Sequence, residues 1–194
     1  MEKYLFMRPL LGLLAQGRFF HRAVAHTLRV LAGLVVLFGL TNLFTAGKIF
    51  TRLQASGILG GVLFVLFFIA AVYAVAHALL IRARDIEGLG GGEYYALSAG
   101  AILARLAGEI YAGYVGLTAI GGAVFVWFTG LGPGRVLNPL ARTPLPITRD
   151  DPSFGGGIEF VVSGVLAAIG VLLVSYMLAE ILAQLARRAP GAAR

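Results

Sequence analysis

Hydrophobic positions along this chain come in four long runs, each uninterrupted by Asp, Glu, Lys or Arg. Val30 to Gly47 is 18 residues, Leu53 to Ile81 is 29, Ile110 to Gly134 is 25 and Phe160 to Ala179 is 20. A helix needs about 20 residues at 1.5 Å each to cross roughly 30 Å of hydrocarbon. The apolar flank Ala23 to Leu28 extends the shortest run. The pattern predicts an all-α integral membrane protein with transmembrane helices over about 24–47, 57–82, 102–130 and 158–186.

The ends and connections have a different texture. Lys3 and Arg8 bracket only four residues, and no sustained apolar run follows before Arg18, so the start does not read as a cleavable signal peptide. Pro9 suits a first helical turn, and Leu10, Leu11, Leu13 and Leu14 would share one face. Residues 1–23 are therefore expected to form a short interfacial helix, with an amphipathic lead-in packed on the bundle as the competing reading. Residues 85–101 form a connector containing Gly88, Gly90, Gly91 and Gly92. A hinge is the expected role, because a phosphate-binding loop would need a following Lys-Ser/Thr. The stretch 131–157 holds five of the seven prolines and reads as an extended loop, either a partner contact or a surface cover.

The second and fourth helices end alike. Tyr73-Ala-Val-Ala-His-Ala-Leu-Leu-Ile-Arg-Ala-Arg84 aligns with Tyr176-Met-Leu-Ala-Glu-Ile-Leu-Ala-Gln-Leu-Ala-Arg187 at a constant offset, with His77 opposite Glu180. Arg29-Val-Leu-Ala-Gly33 resembles Arg105-Leu-Ala-Gly108 with one gap. One membrane domain, 1–194, is expected to consist of two tandem hairpins, 24–84 and 102–187. They would be parallel repeats, since each crosses twice and enters from the same side. Chance similarity between Leu- and Ala-rich helices is the competing explanation.

Charge gives the chain an orientation. Eleven of the sixteen Lys and Arg residues flank the side holding both termini, which predicts cytoplasmic termini in a bacterial-type inner membrane. Trp127 then falls at the far end of the third helix, where interfacial aromatics belong. Mean hydropathy is +0.88 and the isoelectric point near 10.2. Beside apolar runs, that positive charge points to anionic lipid headgroups and not to nucleic acid. The absence of cysteine excludes disulfides and thiolate chemistry.

Candidate residues are few. The third helix carries Ala96, Gly100, Ala104, Gly108, Ala112 and Gly116, a ridge of small residues suited to close helix packing. His77, Arg105, Glu109 and Glu180 are ionisable groups inside or beside the apolar runs, and such residues are candidates for function. Arg105 and Glu109 stand four apart, a spacing that allows an ion pair on one face. The cluster reads either as a pin that fixes helix register or as a proton- or ion-handling site. His26 and His77 raise the idea of a bis-histidine haem, but His26 falls at the interface and no cofactor or metal is expected. No hydrolase or metalloprotease motif occurs, so the chain is not expected to be an enzyme.

Leu28-Arg29 with Gly33 and Gly39 resembles the opening of the DoxX family of small four-helix membrane proteins. Asn42 stands where that pattern has Lys, and no function is carried over from the resemblance. The expected function is a non-catalytic accessory or scaffold subunit that partners other membrane subunits or its own copies. The alternative is a small channel or transporter using the polar cluster.

Overall fold

The computed structural model describes residues 17–47, 50–89, 95–132 and 151–188. Among them there are no strands. Helix α1 is Gly17–Gly47, α2 is Ala55–Glu87, α3 is Tyr95–Thr129 and α4 is Phe154–Arg188, with a 3-10 turn at Phe50–Arg52. All four are long and apolar enough to cross a membrane, as befits an integral membrane protein.

Each helix extends beyond the limits set by its charge-free run. Residues 17–23, expected in an interfacial segment, are the first turns of α1; residues 1–16 of that segment lie outside the described residues. Similarly, α2 continues through Arg82, Arg84 and Asp85, and α3 begins at Tyr95 instead of near residue 102. Charged residues end the apolar pattern without breaking the helix, because Arg and Glu are good helix formers. What stops these helices is local backbone chemistry. Gly130 terminates α3 in a left-handed conformation at φ 62°, its N–H donating to the Val126 carbonyl at 2.8 Å. Before α4, the Ser153 hydroxyl accepts the Gly156 N–H at 3.0 Å, and Asp151 accepts the Ser153 N–H at 2.9 Å. The proline-rich stretch 133–150 lies outside the described residues.

Consecutive helices pack antiparallel, in the order α1, α2, α3, α4. Gly39 of α1 abuts Val72 of α2, Gly121 of α3 abuts Phe67 of α2, and Gly164 of α4 abuts Ala119 of α3. Beyond the end of α2, α1 and α3 meet directly. There the buried His21 ring stacks on Tyr95 with centroids 3.5 Å apart. Two apolar clusters fill the bundle. One joins Leu28 and Ala32 of α1 to Val75, Leu79 and Ile86 of α2 and Leu106 of α3. The other gathers Phe64, Phe68, Phe125 and Phe160 around Ala119, with Phe64 and Phe125 edge to face at 6.0 Å.

Candidate functional site: a polar belt at one end of the bundle

Helix α4 lies along α3 on a stripe of small residues. On α4 the buried positions include Gly157, Phe160, Gly164, Ala168 and Ala179, at steps that keep returning to one helix face. A methyl group at Gly108 would stand 2.5 Å from Ser175 Cβ, so the two helices touch nearly backbone to backbone there. Gly100 and Gly116 are looser, where a methyl group would lie 3.7 Å from Leu182 and from Ala168 respectively. Ala104 and Ala112 are half-buried and Ala96 is exposed. The reason is rotational. Four residues turn an α-helix by about 400°, so each step along the ridge swings about 40° away from the seam. Three steps from Gly108, Ala96 has left it, and toward the other end of α3 the contact with α4 runs through Ala119, Gly122 and Trp127.

The ionisable residues assemble differently from the simple pairing suggested by their spacing. Glu109 is not bound by Arg105, four residues away on its own helix. Both its oxygens are taken by the guanidinium of Arg82 from α2, with Nε donating at 3.0 Å and Nη2 donating to the other oxygen. The Tyr176 hydroxyl of α4 donates to Glu109 at 2.7 Å, and Arg82 Nη1 reaches Asp85 at 2.7 Å. One carboxylate thus ties three helices together. Arg82 and Glu109 side chains are only 18% and 20% exposed, so the pair is substantially withdrawn from solvent. Alongside, Arg105 Nη2 lies 3.9 Å from Glu180, and its guanidinium lies 5.6 Å from the Tyr176 ring centre. Gln184 also contacts Glu180 at 3.5 Å. His77 takes no part. It is exposed on α2 and stacks on Tyr73 with centroids 5.5 Å apart.

Two members of this belt are missed by reading the sequence alone. Arg82 ends a charge-free run and so reads as an interfacial flank, while Tyr176 reads only as one half of the repeat. A hydrogen-bond demand was the available signal: a carboxylate inside an apolar run needs a partner of matching depth. A further pair, Arg29 to Glu87, joins α1 to α2 through two donated bonds of 2.7 and 2.6 Å.

Depth follows from helix rise. Trp127 stacks on Phe154 and donates to its carbonyl at 3.1 Å, marking the far end of α3. Glu109 is 18 residues back, about 27 Å away, and Arg105 about 33 Å. The belt therefore stands at the opposite edge of a roughly 30 Å hydrocarbon layer, not at its middle. At mid-depth the fully buried Thr118 satisfies its hydroxyl on its own helix, donating to the Tyr114 carbonyl at 2.6 Å. No group of three or more metal-ligating side chains occurs among the described residues. His26 is exposed, with Nδ1 donating to the Arg22 carbonyl at 2.7 Å.

Fold and belt together define a polytopic membrane protein with four candidate spans among the described residues, whose edge charges are cross-linked to each other. No protein-family model, no curated protein and no solved structure matches the chain.

Proposed function

We propose that this protein is a non-catalytic accessory or scaffold subunit of a larger membrane assembly, with both termini cytoplasmic in a bacterial-type inner membrane. The observation that carries the reading is the division of labour along the bundle axis. The half of the bundle toward Trp127 is packed by Phe64, Phe68, Phe125 and Phe160 around Ala119, while the charged groups stand at the opposite edge and neutralise one another. A conducting path needs polar groups or a water-filled space at successive depths. A structural bundle needs close helix contacts and charges that find partners.

The outer face fits a subunit with neighbours in the bilayer. Phe38, Phe44, Leu166, Val174 and Met177 are all more than half exposed, an apolar surface for lipid or other chains. The two-hairpin arrangement, 24–84 and 102–187, belongs to the same proposal. In each helix pair, α1 with α2 and α3 with α4, an arginine of the first helix pairs with a glutamate near the end of the second: Arg29 with Glu87, which lies just past the first hairpin's bounds, and Arg105 with Glu180. The two glutamates are not at equivalent positions, since Glu180 corresponds to His77 at the repeat offset.

The test combines mass and transport. Extracted from its own membrane in mild detergent, the chain should weigh as a complex with a stoichiometric further membrane chain by native mass spectrometry. Reconstituted alone in liposomes, it should leave proton and cation leak unchanged. A solitary 20.4 kDa species that carries flux would establish the channel or transporter alternative instead.

A further inference from the structure

Between α1, α2 and α3 the bundle does not close. A cleft of about 540 Å³ opens there, walled by Phe38 and Asn42 of α1, Phe68 and Val75 of α2, and Tyr111 and Val115 of α3. Its volume is that of a small-molecule site, and its walls are almost wholly apolar. It lies within the candidate membrane spans, so it opens onto hydrocarbon and not onto water.

Besides the phenols of Tyr111 and Tyr114, one polar side chain lines the cleft. Asn42 carries a carboxamide with two donors and an acceptor, and it makes no hydrogen bond among the described residues. Its depth can be read from its neighbours. Gly39 abuts Val72, and Val72 is near the level of Val115, about 18 Å along α3 from Trp127. Asn42 is a further turn toward that end, close to the middle of the hydrocarbon layer. No water is at hand at that depth to satisfy the amide, so leaving it unpaired is costly.

We infer that the cleft binds a neutral, membrane-dissolved hydrophobe with a single hydrocarbon chain and a carbonyl-bearing ring, the chemistry of a membrane quinone. The carboxamide of Asn42 donates to the ring carbonyl, the rings of Tyr111 and Tyr114 provide an aromatic wall, and the chain leaves through the opening to the bilayer. A phospholipid chain fits the apolar walls but not the amide. Its ester carbonyls stay near the headgroups, about 15 Å from Asn42, half the thickness of the layer. A neutral head can move to mid-depth.

The experiment uses the full chain in phosphatidylcholine nanodiscs, titrated with decylubiquinone and, separately, with decylbenzene, which has the same chain and no carbonyl. Saturable one-to-one binding of decylubiquinone, at least tenfold tighter than decylbenzene, is the expected result. Asn42→Leu should weaken decylubiquinone about tenfold, the loss of one hydrogen bond, while leaving decylbenzene unchanged. Ala107→Trp, at an exposed position on the cleft wall, should abolish both. Equal binding of the two probes to the wild-type chain would make the cleft a groove for lipid chains and overturn the inference, as would no saturable binding of decylubiquinone. That comparison needs no variant, so a substitution that fails to fold does not protect the inference.

Discussion

The two sides of α3 are built on opposite principles. Toward α4 it presents Gly108, Ala119 and Gly122, and the partner helix answers with Ser175, Gly164 and Phe160, so the backbones approach until no further atom fits. Toward α1 it presents Ile110, Tyr111 and Tyr114, and the helices stand apart around an open cleft. In water the second side would be expected to hold better, because its side chains are larger. In a bilayer that advantage disappears, since lipid chains are as apolar as leucine. What holds helices together there is close contact and hydrogen bonding, and α3–α4 has both. Helix α4 makes its main contacts with α3 alone and buries few residues, most of them small. The Tyr176–Glu109 bond adds a polar anchor to that narrow contact.

The sharpest way to break the contrast is to strand the carboxylate on which that anchor rests. Arg82→Ala leaves Glu109 with the Tyr176 hydroxyl as its remaining partner, and breaking a buried ion pair from one side typically costs about 3 kcal/mol or more. Detergent-driven unfolding in mixed micelles should show this as the largest single-residue loss. Next comes the seam. Gly164→Ala places a methyl group against Ala119, which has no flexible end to move aside, and overpacking of this kind costs about 1–3 kcal/mol. Gly108→Leu should fall in the same range, against Ser175 and the Leu172 backbone. An unchanged unfolding midpoint for both would mean that the seam is not close-packed.

Gly170 sharpens the comparison from within the same helix. It has nothing within 4 Å of where a methyl would go. Gly170→Ala should therefore stabilise by about 0.5–1 kcal/mol through helix propensity, with the sign opposite to Gly164→Ala two turns away. The smallest effect belongs to Glu180→Gln. Its partner Arg105 lies at 3.9 Å, and both side chains are more than a third exposed. Exposed pairs contribute about 0–1 kcal/mol, so unfolding should shift by less than 1 kcal/mol.

These outcomes show how far the residues alone could carry the structure. Charge-free runs located four spans because an apolar stretch of about 20 residues has few other uses. They misplaced the ends, since Arg82 and Tyr95 continue helices that outrun the hydrocarbon. The small-residue ridge was legible as spacing, but the exposure of Ala96 depends on which turn of α3 meets α4. The Arg105–Glu180 pair could be proposed from matching depth on one side. The stronger pair could not, because only the register of α2 against α3 brings Arg82 opposite Glu109. His77 has the right depth and the wrong face. Asn42 is equally unreadable in sequence, since its meaning comes from the gap between α1 and α3.

Whether the polar belt fastens α2 to α3 through its buried pair is tested most directly by a double-mutant cycle on Arg82 and Glu109. Arg82→Leu, Glu109→Leu and the double variant should be unfolded under one set of micelle conditions. The account predicts that each single change costs more than the double change divided evenly between them, with a coupling of about 1.5–3 kcal/mol. Replacing both partners removes the stranded charge along with the bond. Costs that simply add, to within about 0.5 kcal/mol, would mean that the two residues do not act as a pair and would contradict it.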